Sequence, residues 1–532
     1  MTRTFREATR SQPQELILRP KPVALSEFDH LLSSQIIACP NAPIEAIEAG
    51  KAVSVPAGTF DVEVIRSQLP TNFQPDLISL SARVMSFLPQ GLEKFPCPKV
   101  MKIGDTFHFG DGTLSGMVEY CQKLNCDYHW TYQGAHHLHF FVEAGLRNVF
   151  WLPGTIAIEP YIPPEFIHKE GVIFRGGESE LHGYRKWVLN DLRQSNIAID
   201  IQSKPYEACL EDYAKAQIVI NCSLNGDLNR RVFEVLMAGG FLLTDRISTQ
   251  TGLSELFQEG IHLECYGDVP ELTEKIRFYL AHPKQANQIA KNGHQKFIDC
   301  YQQSAIQQKL YEYVLEHKIE PSFQITQDRR LLPKTPETLK TRLKVYQVIQ
   351  ELHRLLPKLN LLYWKGRHRS LLSDLADLPR LQLTYIHQIS EISEMQAWCT
   401  EVGVDHQIQF QDVAQMAQSS FQIVLIDADQ LQRSLQEILP FIAETGLLLI
   451  VGFPNFATIR LLKQQDLIPV DLLIELFQQT YPICLDEHGL IYQKKGASPI
   501  PNLTIQPTSF KSLIKTQLKS SPIFQWFRKR IH

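Results

Sequence analysis

The chain has no CxxC pair and no clustered His/Cys spacing; its 10 cysteines are scattered along 532 residues. That excludes a disulfide framework and a structural zinc site as working readings and points to a reducing, cytoplasmic setting. Long apolar runs are missing too, since no stretch approaches the ~20 residues that cross a bilayer. The opening MTRTFREATRSQPQELILRPKP has basic residues but no continuous apolar core, unlike a secretory signal. Positive charge is not in surplus: 53 Lys and Arg stand against 57 Asp and Glu, for a formal net charge of -4. This argues against a nucleic-acid binder. No Ser-His-Asp or Cys-His nucleophile set assembles from local spacing. What remains is ordinary globular composition, 44% hydrophobic and 21% charged, in a chain long enough for more than one domain.

Taken in order, residues 1–55 read as a polar N-terminal arm. From Asp61 the runs DVEVI, DLISLSA, KVMKIGD, DYHWTY and NVFWLPG alternate with helical or loop segments, as in a parallel sheet covered by helices. Pro153, Pro160, Pro163 and Pro164 mark an extended link. A second β-α series follows: Gly171–Arg175, Ile197–Ile201 and Ile218–Cys222 as strands, Tyr184–Gln194 and Tyr206–Ala216 as helices. Helices are expected again over Glu271–Ala281 and Lys284–Leu315. The segment 319–336 reads as a linker. A third α/β unit over 337–500 has strands at Leu359–Trp364, Leu381–Ile386, Phe421–Asp427 and Gly446–Gly452. Residues 501–532 form a basic-aromatic tail, in which Ile523, Phe524, Trp526 and Phe527 precede Arg528-Lys529-Arg530. Such a tail suits peripheral contact with an anionic membrane face, or packing on its own domain.

The stretch that organises the chain is Asn221–Asp245, NCSLNGDLNRRVFEVLMAGGFLLTD. Asn225, Gly226, Asp227, Asn229, Arg230 and Arg231 form a donor-rich loop. Val232–Ala238 is a short helix with Glu234 as its only charge, Gly239-Gly240 stops it, and Phe241–Thr244 is a strand. Loop amides and arginines beside a helix start make an anion site. A carboxylate one turn further in accepts from hydroxyls. The pair suits a nucleotide or a phosphorylated sugar.

These words, continued by ELFQEGIHLECYGDVPELTEKIRFYLAHP and QIAKNGHQKF, resemble the nucleotide-sugar half of GT-B glycosyltransferases, in the group 1 and spore-maturation CgeB-like branch. The resemblance covers roughly Gly171–Tyr301. It implies two Rossmann-like halves, 56–163 for the acceptor and 164–318 for the donor, with a cleft between them. It implies transfer of a sugar from a nucleoside diphosphate to a glycan, lipid-linked or protein acceptor, with retention and without a metal. Group 1 enzymes carry two glutamates eight positions apart. Glu234 matches the second, a ribose ligand, whereas the first is replaced by Gly226 with Asp227 beside it. Arg230 and Arg231 then lie where a leaving diphosphate is held, one of them free to form a salt bridge instead. Arg175 and Arg185 are further diphosphate candidates, with a solvated charge the alternative for Arg185. Asn225 and Asn229 contact phosphate or sugar, or bond locally in the turn. A non-catalytic nucleotide- or sugar-binding scaffold derived from such an enzyme is the rival reading.

Elsewhere, GDTFHFGDGTLSG supplies His108, Gly110 and Gly112, a loop suited to backbone approach across the cleft, with His108 orienting the acceptor or the donor sugar or serving as a bonded loop residue. His136, His137 and His139 invite a metal or cleft role, without a neighbouring carboxylate in the run. FQIVLIDAD…ILPFIAETGLLLIVG resembles the fourth and fifth strands of class I methyltransferases. The cofactor loop does not match: LLYWKGRHRS has only Gly366, and His387 stands where an acidic residue belongs. The third unit is therefore expected to be methyltransferase-like in fold and not to bind S-adenosylmethionine. Asp427-Ala428-Asp429 is alternatively the metal-diphosphate motif of GT-A glycosyltransferases.

Overall fold

The computed structural model describes residues 12–507 apart from 83, 107–113, 155–168, 179–181, 225, 326–335, 357, 367–368, 387–391, 402–406, 417, 419, 453–455, 477–478, 484, 486–488, 499 and 501–502. The first half carries β1 (Glu15–Leu18), β2 (Gln35–Cys39), β3 (Ala52–Ser54), β4 (Thr59–Asp61), β5 (Leu77–Ala82), β6 (Leu88–Gln90), β7 (Lys99–Ile103), β8 (Tyr128–Thr131) and β9 (Val149–Trp151). Seven of these form a sheet in the order β3-β2-β1-β5-β7-β8-β9, while β4 and β6 pair with each other.

Two expectations are corrected here. The segment expected to be an arm supplies β1, β2 and β3, and β1 lies inside the sheet with Glu15 in register with both Gln35 and Leu77. Its polar look has a local cause. Glu15 is buried, and it accepts from Gln35 Nε2 at 2.8 Å and from the Tyr311 hydroxyl at 2.8 Å. The run DVEVI is not a strand but contains the helical turn Glu63–Arg66, because Asp61 Oδ1 accepts the Glu63 amide at 2.9 Å and starts a helix.

The second half holds β10 (Glu170–Arg175), β11 (Ile199–Gln202), β12 (Ala216–Asn221), β13 (Leu242–Asp245) and β14 (Glu264–Tyr266) in the order β11-β10-β12-β13-β14. Every pairing is parallel. The inner strands of such a sheet are buried on both faces, which is why VIF in β10, IVI in β12 and LL in β13 read as apolar runs, while the edge strand β11 alternates. The expected helix over Lys284–Leu315 is two helices, Pro283–Cys300 and Gln303–Glu316. The second of these returns to the first half. Its Tyr313 sits edge-on to Tyr128 and Phe150, at 5.3 and 4.7 Å between ring centres. Within the expected linker, Phe323 is buried against Trp151.

The third unit adds β15 (Leu359–Trp364), β16 (Leu381–Ile386), β17 (Ile408–Phe410), β18 (Phe421–Asp427), β19 (Ile442–Val451), β20 (Leu467–Leu476), β21 (Gln479–Ile483), β22 (Gly489–Lys494) and β23 (Thr504–Pro507). Their order is β17-β16-β15-β18-β19-β22-β20-β21, with β23 on β20 and with β22 antiparallel to β19. The strand β23 thus takes residues expected in the tail into the sheet; 508–532 lie outside the described residues. The α/β expectation holds: two Rossmann-like halves are followed by a third Rossmann-like unit.

The third unit does not hang from the other two. Its first helix, Pro336–Leu355, bonds to the first half through Tyr346 Oη and His137 Nε2 at 2.7 Å and through Arg342 and Glu143. At its other end it meets the second half so closely that a Cβ on Gly183 would lie 2.2 Å from the Leu355 carbonyl oxygen. The helix spans both halves.

Candidate functional site

Open parallel sheets bind ligands at the carboxyl ends of their strands, and β10, β12 and β13 end together. Asn221, the last residue of β12, is buried and ties that edge. Its Nδ2 donates to Thr244 Oγ1 at 3.0 Å, and its Oδ1 accepts from Arg231 Nη1 at 2.8 Å and Asn229 Nδ2 at 3.3 Å. The following turn is held from below by buried Asp245. The Ser223 amide donates to Asp245 Oδ1 at 2.9 Å and the Ser223 hydroxyl donates to Oδ2. Ser223 Oγ accepts from the Gly226 amide at 3.1 Å, and Asp227 Oδ1 accepts from Leu224 N at 3.0 Å. The loop is therefore a preformed polar scaffold.

Two guanidinium groups flank it. Arg185 donates from Nε and Nη2 to the Cys222 carbonyl at 3.2 and 2.8 Å. Arg185 and Arg231 lie 5.4 and 4.8 Å from the same ring, that of Phe174. Gly176 has φ +153, and a Cβ there would lie 2.6 Å from Arg231 Nη2, so glycine is what lets this guanidinium pass. Among the described residues neither arginine has a carboxylate at ion-pair distance. Burial first, and then the charge of Arg231, pull the Arg185 pKa down to about 10. Two crowded positive charges without a carboxylate in direct contact among the described residues make a place for an anion.

Glu234 stands one turn into the helix Arg230–Met237. Its side chain is 13% exposed and its Oε1 is 3.2 Å from Arg230 Nη2. Burial raises its pKa, and Arg230 and Arg231 oppose the rise. The two adjacent arginines thus divide: Arg230 pairs with Glu234 and lies 5.8 Å over the Tyr206 ring, while Arg231 turns to Asn221 and Phe174. Asn229 is the residue before the helix and bonds to Asn221 rather than capping the helix.

Other sequence candidates fall elsewhere. Arg175 is not available to a diphosphate. Its Nη2 donates to Asp200 at 2.6 Å, its Nη1 to the Asp200 carbonyl at 3.0 Å, and its Nε to Asp212. Its guanidinium is spent on carboxylates 25 and 37 residues away in the chain. His108, Gly110, Gly112 and Asn225 lie outside the described residues. The histidine run joins units. His137 bonds to Thr106 and Tyr346, both at 2.7 Å, and His139 Nε2 lies 3.0 Å from Asp374 Oδ1. Among the described residues no group of three or more His, Cys, Asp or Glu is placed to hold a metal ion. Asp427 precedes the helix Ala428–Ile438 and Asp429 lies in its first turn.

Sequence reasoning missed the contribution of the third unit. Gly226 is buried with φ +77, and a Cβ on it would lie 2.4 Å from Pro379 Cγ. A side chain at the position of the first glutamate is excluded by this contact. No local signal links residues 226 and 379.

Residues 176–310 match the family model described as glycosyl transferase-like. No curated protein matches the chain. Among solved structures, the chain is similar to Anabaena HepE in complex with UDP and glucose, at 13% identity and TM-score 0.39 over 57% of this chain and 99% of that one. It is also similar to a glycosyltransferase from Rickettsia africae, at 10% identity and TM-score 0.40 over 58% and 100%. A third is sucrose-phosphate synthase from Thermosynechococcus elongatus, at 12% identity and TM-score 0.39 over 57% and 100%. No helix among the described residues is long and apolar enough to cross a membrane.

Proposed function

We propose that the protein is a glycosyltransferase that moves a hexosyl group from a nucleoside diphosphate to a glycan, lipid-linked or protein acceptor, with retention. The observation that carries this is Glu234, paired with Arg230, on the same helix as Arg231, which shares the Phe174 ring at the end of β10 with Arg185; neither Arg185 nor Arg231 has a carboxylate at ion-pair distance among the described residues. Glu234 accepts the ribose hydroxyls, and the guanidinium groups hold the diphosphate. In the transfer the acceptor oxygen bonds to the anomeric carbon from the face the diphosphate leaves. The anomeric C–O bond to phosphate breaks, and a phosphate oxygen takes the acceptor proton. The protein supplies position and positive charge that matches the growing negative charge. The reading uses neither a metal nor S-adenosylmethionine.

A second reading has one observation in its favour. Pro379 occupies the space beside Gly226 that the first glutamate of group 1 enzymes would need, which fits a scaffold that binds a nucleotide sugar without turnover. A panel of nucleotide sugars separates the two: thermal shift reports binding and release of nucleoside diphosphate reports turnover. The enzyme reading expects both with one donor and loss of both in Glu234→Ala. A shift without release supports the scaffold, and neither shift nor release with any donor ends the enzyme reading.

For the third unit we retain a methyltransferase-like fold without S-adenosylmethionine binding. The turn after β15 is filled from within: the Tyr363 ring lies on Gly366, and the Tyr385 hydroxyl donates to the Gly366 carbonyl at 2.8 Å. Saturable S-adenosylmethionine binding by the full chain would contradict this. The proposed setting is the cytoplasm, with contact at the inner membrane face through the tail.

A further inference from the structure

Two Rossmann-like halves suffice for a donor cleft, yet the third unit reaches the donor loop with the segment 377–380. Asp377 Oδ1 accepts from the Ser248 hydroxyl at 3.3 Å, and Pro379 packs on Gly226. The Pro379 carbonyl is 2.6 Å from Nε2 of buried His353. These contacts fix the next residue, Arg380, in a left-handed backbone with φ +64. That conformation is uncommon for a side chain of this size and is held only where the surroundings determine it.

The Arg380 guanidinium lies 3.3 Å from the centre of the Tyr184 ring, next in sequence to Arg185. Its Nη1 is 3.5 Å from Asp245 Oδ2, the carboxylate that anchors Ser223. Nε and Nη2 are buried and have no partner among the described residues. Arg175 shows what a structural arginine in this fold looks like, with bonds from every guanidinium nitrogen. Arg380 is held by one long ion pair and an aromatic face, and keeps donors in reserve. The turn that starts at Cys222 is thus flanked by three guanidinium groups, Arg185, Arg231 and Arg380, one of them from another unit.

We propose that Arg380 is a diphosphate-binding residue of the donor site, contributed by the third unit; this rests on the donor-site reading above. The third unit then completes the site and is not an appendage to it. The ligand class is the diphosphate of a nucleotide sugar, to which a guanidinium offers paired, charge-assisted bonds.

The test is calorimetric titration of the full chain with UDP, GDP, ADP, CDP and dTDP, carrying the tightest forward beside its nucleoside. Arg380→Met should weaken the diphosphate about tenfold or more, leave the nucleoside within about twofold, and be partly rescued in Arg380→Lys. Equal weakening of diphosphate and nucleoside would mean that Arg380 only braces Asp245, and no change in either would mean that it does not touch the ligand; both overturn the assignment. If Arg380→Met does not fold, Arg380→Lys decides alone, because loss of the fork should still weaken the diphosphate more than the nucleoside. Glu234→Ala separates the two levels. Binding that Glu234→Ala abolishes and Arg380→Met spares overturns only the Arg380 assignment. A wild-type chain that binds no diphosphate overturns the donor reading and Arg380 with it.

Discussion

The second half and the third unit end their central strands in opposite ways. After β12 the chain turns through Ser223 and Gly226, with polar side chains beneath and, above, two arginines that have no carboxylate at ion-pair distance among the described residues. After β15 it turns through Lys365 and Gly366, and aromatic side chains of its own strands close the space: Tyr363 on the glycine, Tyr385 bonded to it, and Trp364 fully buried. Both turns stand at the carboxyl ends of parallel-paired strands, the position from which such sheets serve ligands. What distinguishes them is whether the strand ends leave the edge open and charged or fill it with rings. The fold offers the position, and the residues at the strand ends decide its use.

Glu234→Ala should have the largest effect on one side of this contrast. Loss of a charged acceptor for ribose hydroxyls costs about 3 kcal/mol, roughly a hundredfold in nucleoside diphosphate affinity. Melting temperature should move little, because among the described residues the side chain pairs only with the exposed Arg230. On the other side, Gly366→Ala should destabilise without touching donor binding. A Cβ there would lie 1.9 Å from the Tyr363 ring, and overpacking of this kind costs about 1–3 kcal/mol. Denaturant unfolding of the full chain reads that loss, and diphosphate affinity within about twofold of wild type completes the contrast.

Arg175→Met sharpens the difference within the second half. It removes one partner from Asp200, which is half exposed, and from Asp212, which keeps Lys204 at 2.8 Å, so stability should fall by about 1 kcal/mol with diphosphate affinity unchanged. A selective loss of diphosphate binding would return Arg175 to the site.

The smallest expected effect is a pH dependence. Burial raises the Glu234 pKa above the usual glutamate value. By itself this favours the folded free protein below the ordinary glutamate range, a contribution lost as pH rises through the raised value. Ribose hydroxyls donate to the charged carboxylate, so binding lowers that pKa again. Affinity should rise with pH, by at most about tenfold per unit, until Glu234 is ionised in the free protein, and then level off. Titrations at stepped acid pH would show this limb in the wild type and none in Glu234→Gln.

Much of the second half was legible because it is local. The order of strand, polar loop, short helix, paired glycine and strand between Asn221 and Asp245 maps onto β12, the helix Arg230–Met237 and β13. Contacts across sequence were not legible. Arg175 looked like a ligand because Asp200 and Asp212 lie far along the chain. The strands β1, β2 and β3 are short, and the buried Glu15–Gln35 pair made their segment look solvated. Gly226 looked like a lost glutamate, whereas its meaning lies in Pro379, brought there by the docking of a separate unit.

The most direct test of the central claim is calorimetric titration of the full chain with the panel of nucleoside diphosphates, in wild type and in Glu234→Ala. At least one diphosphate should bind saturably, and that binding should weaken by roughly a hundredfold in a variant that unfolds like wild type. Absence of binding across the panel, or equal affinity in the two proteins, would contradict that claim.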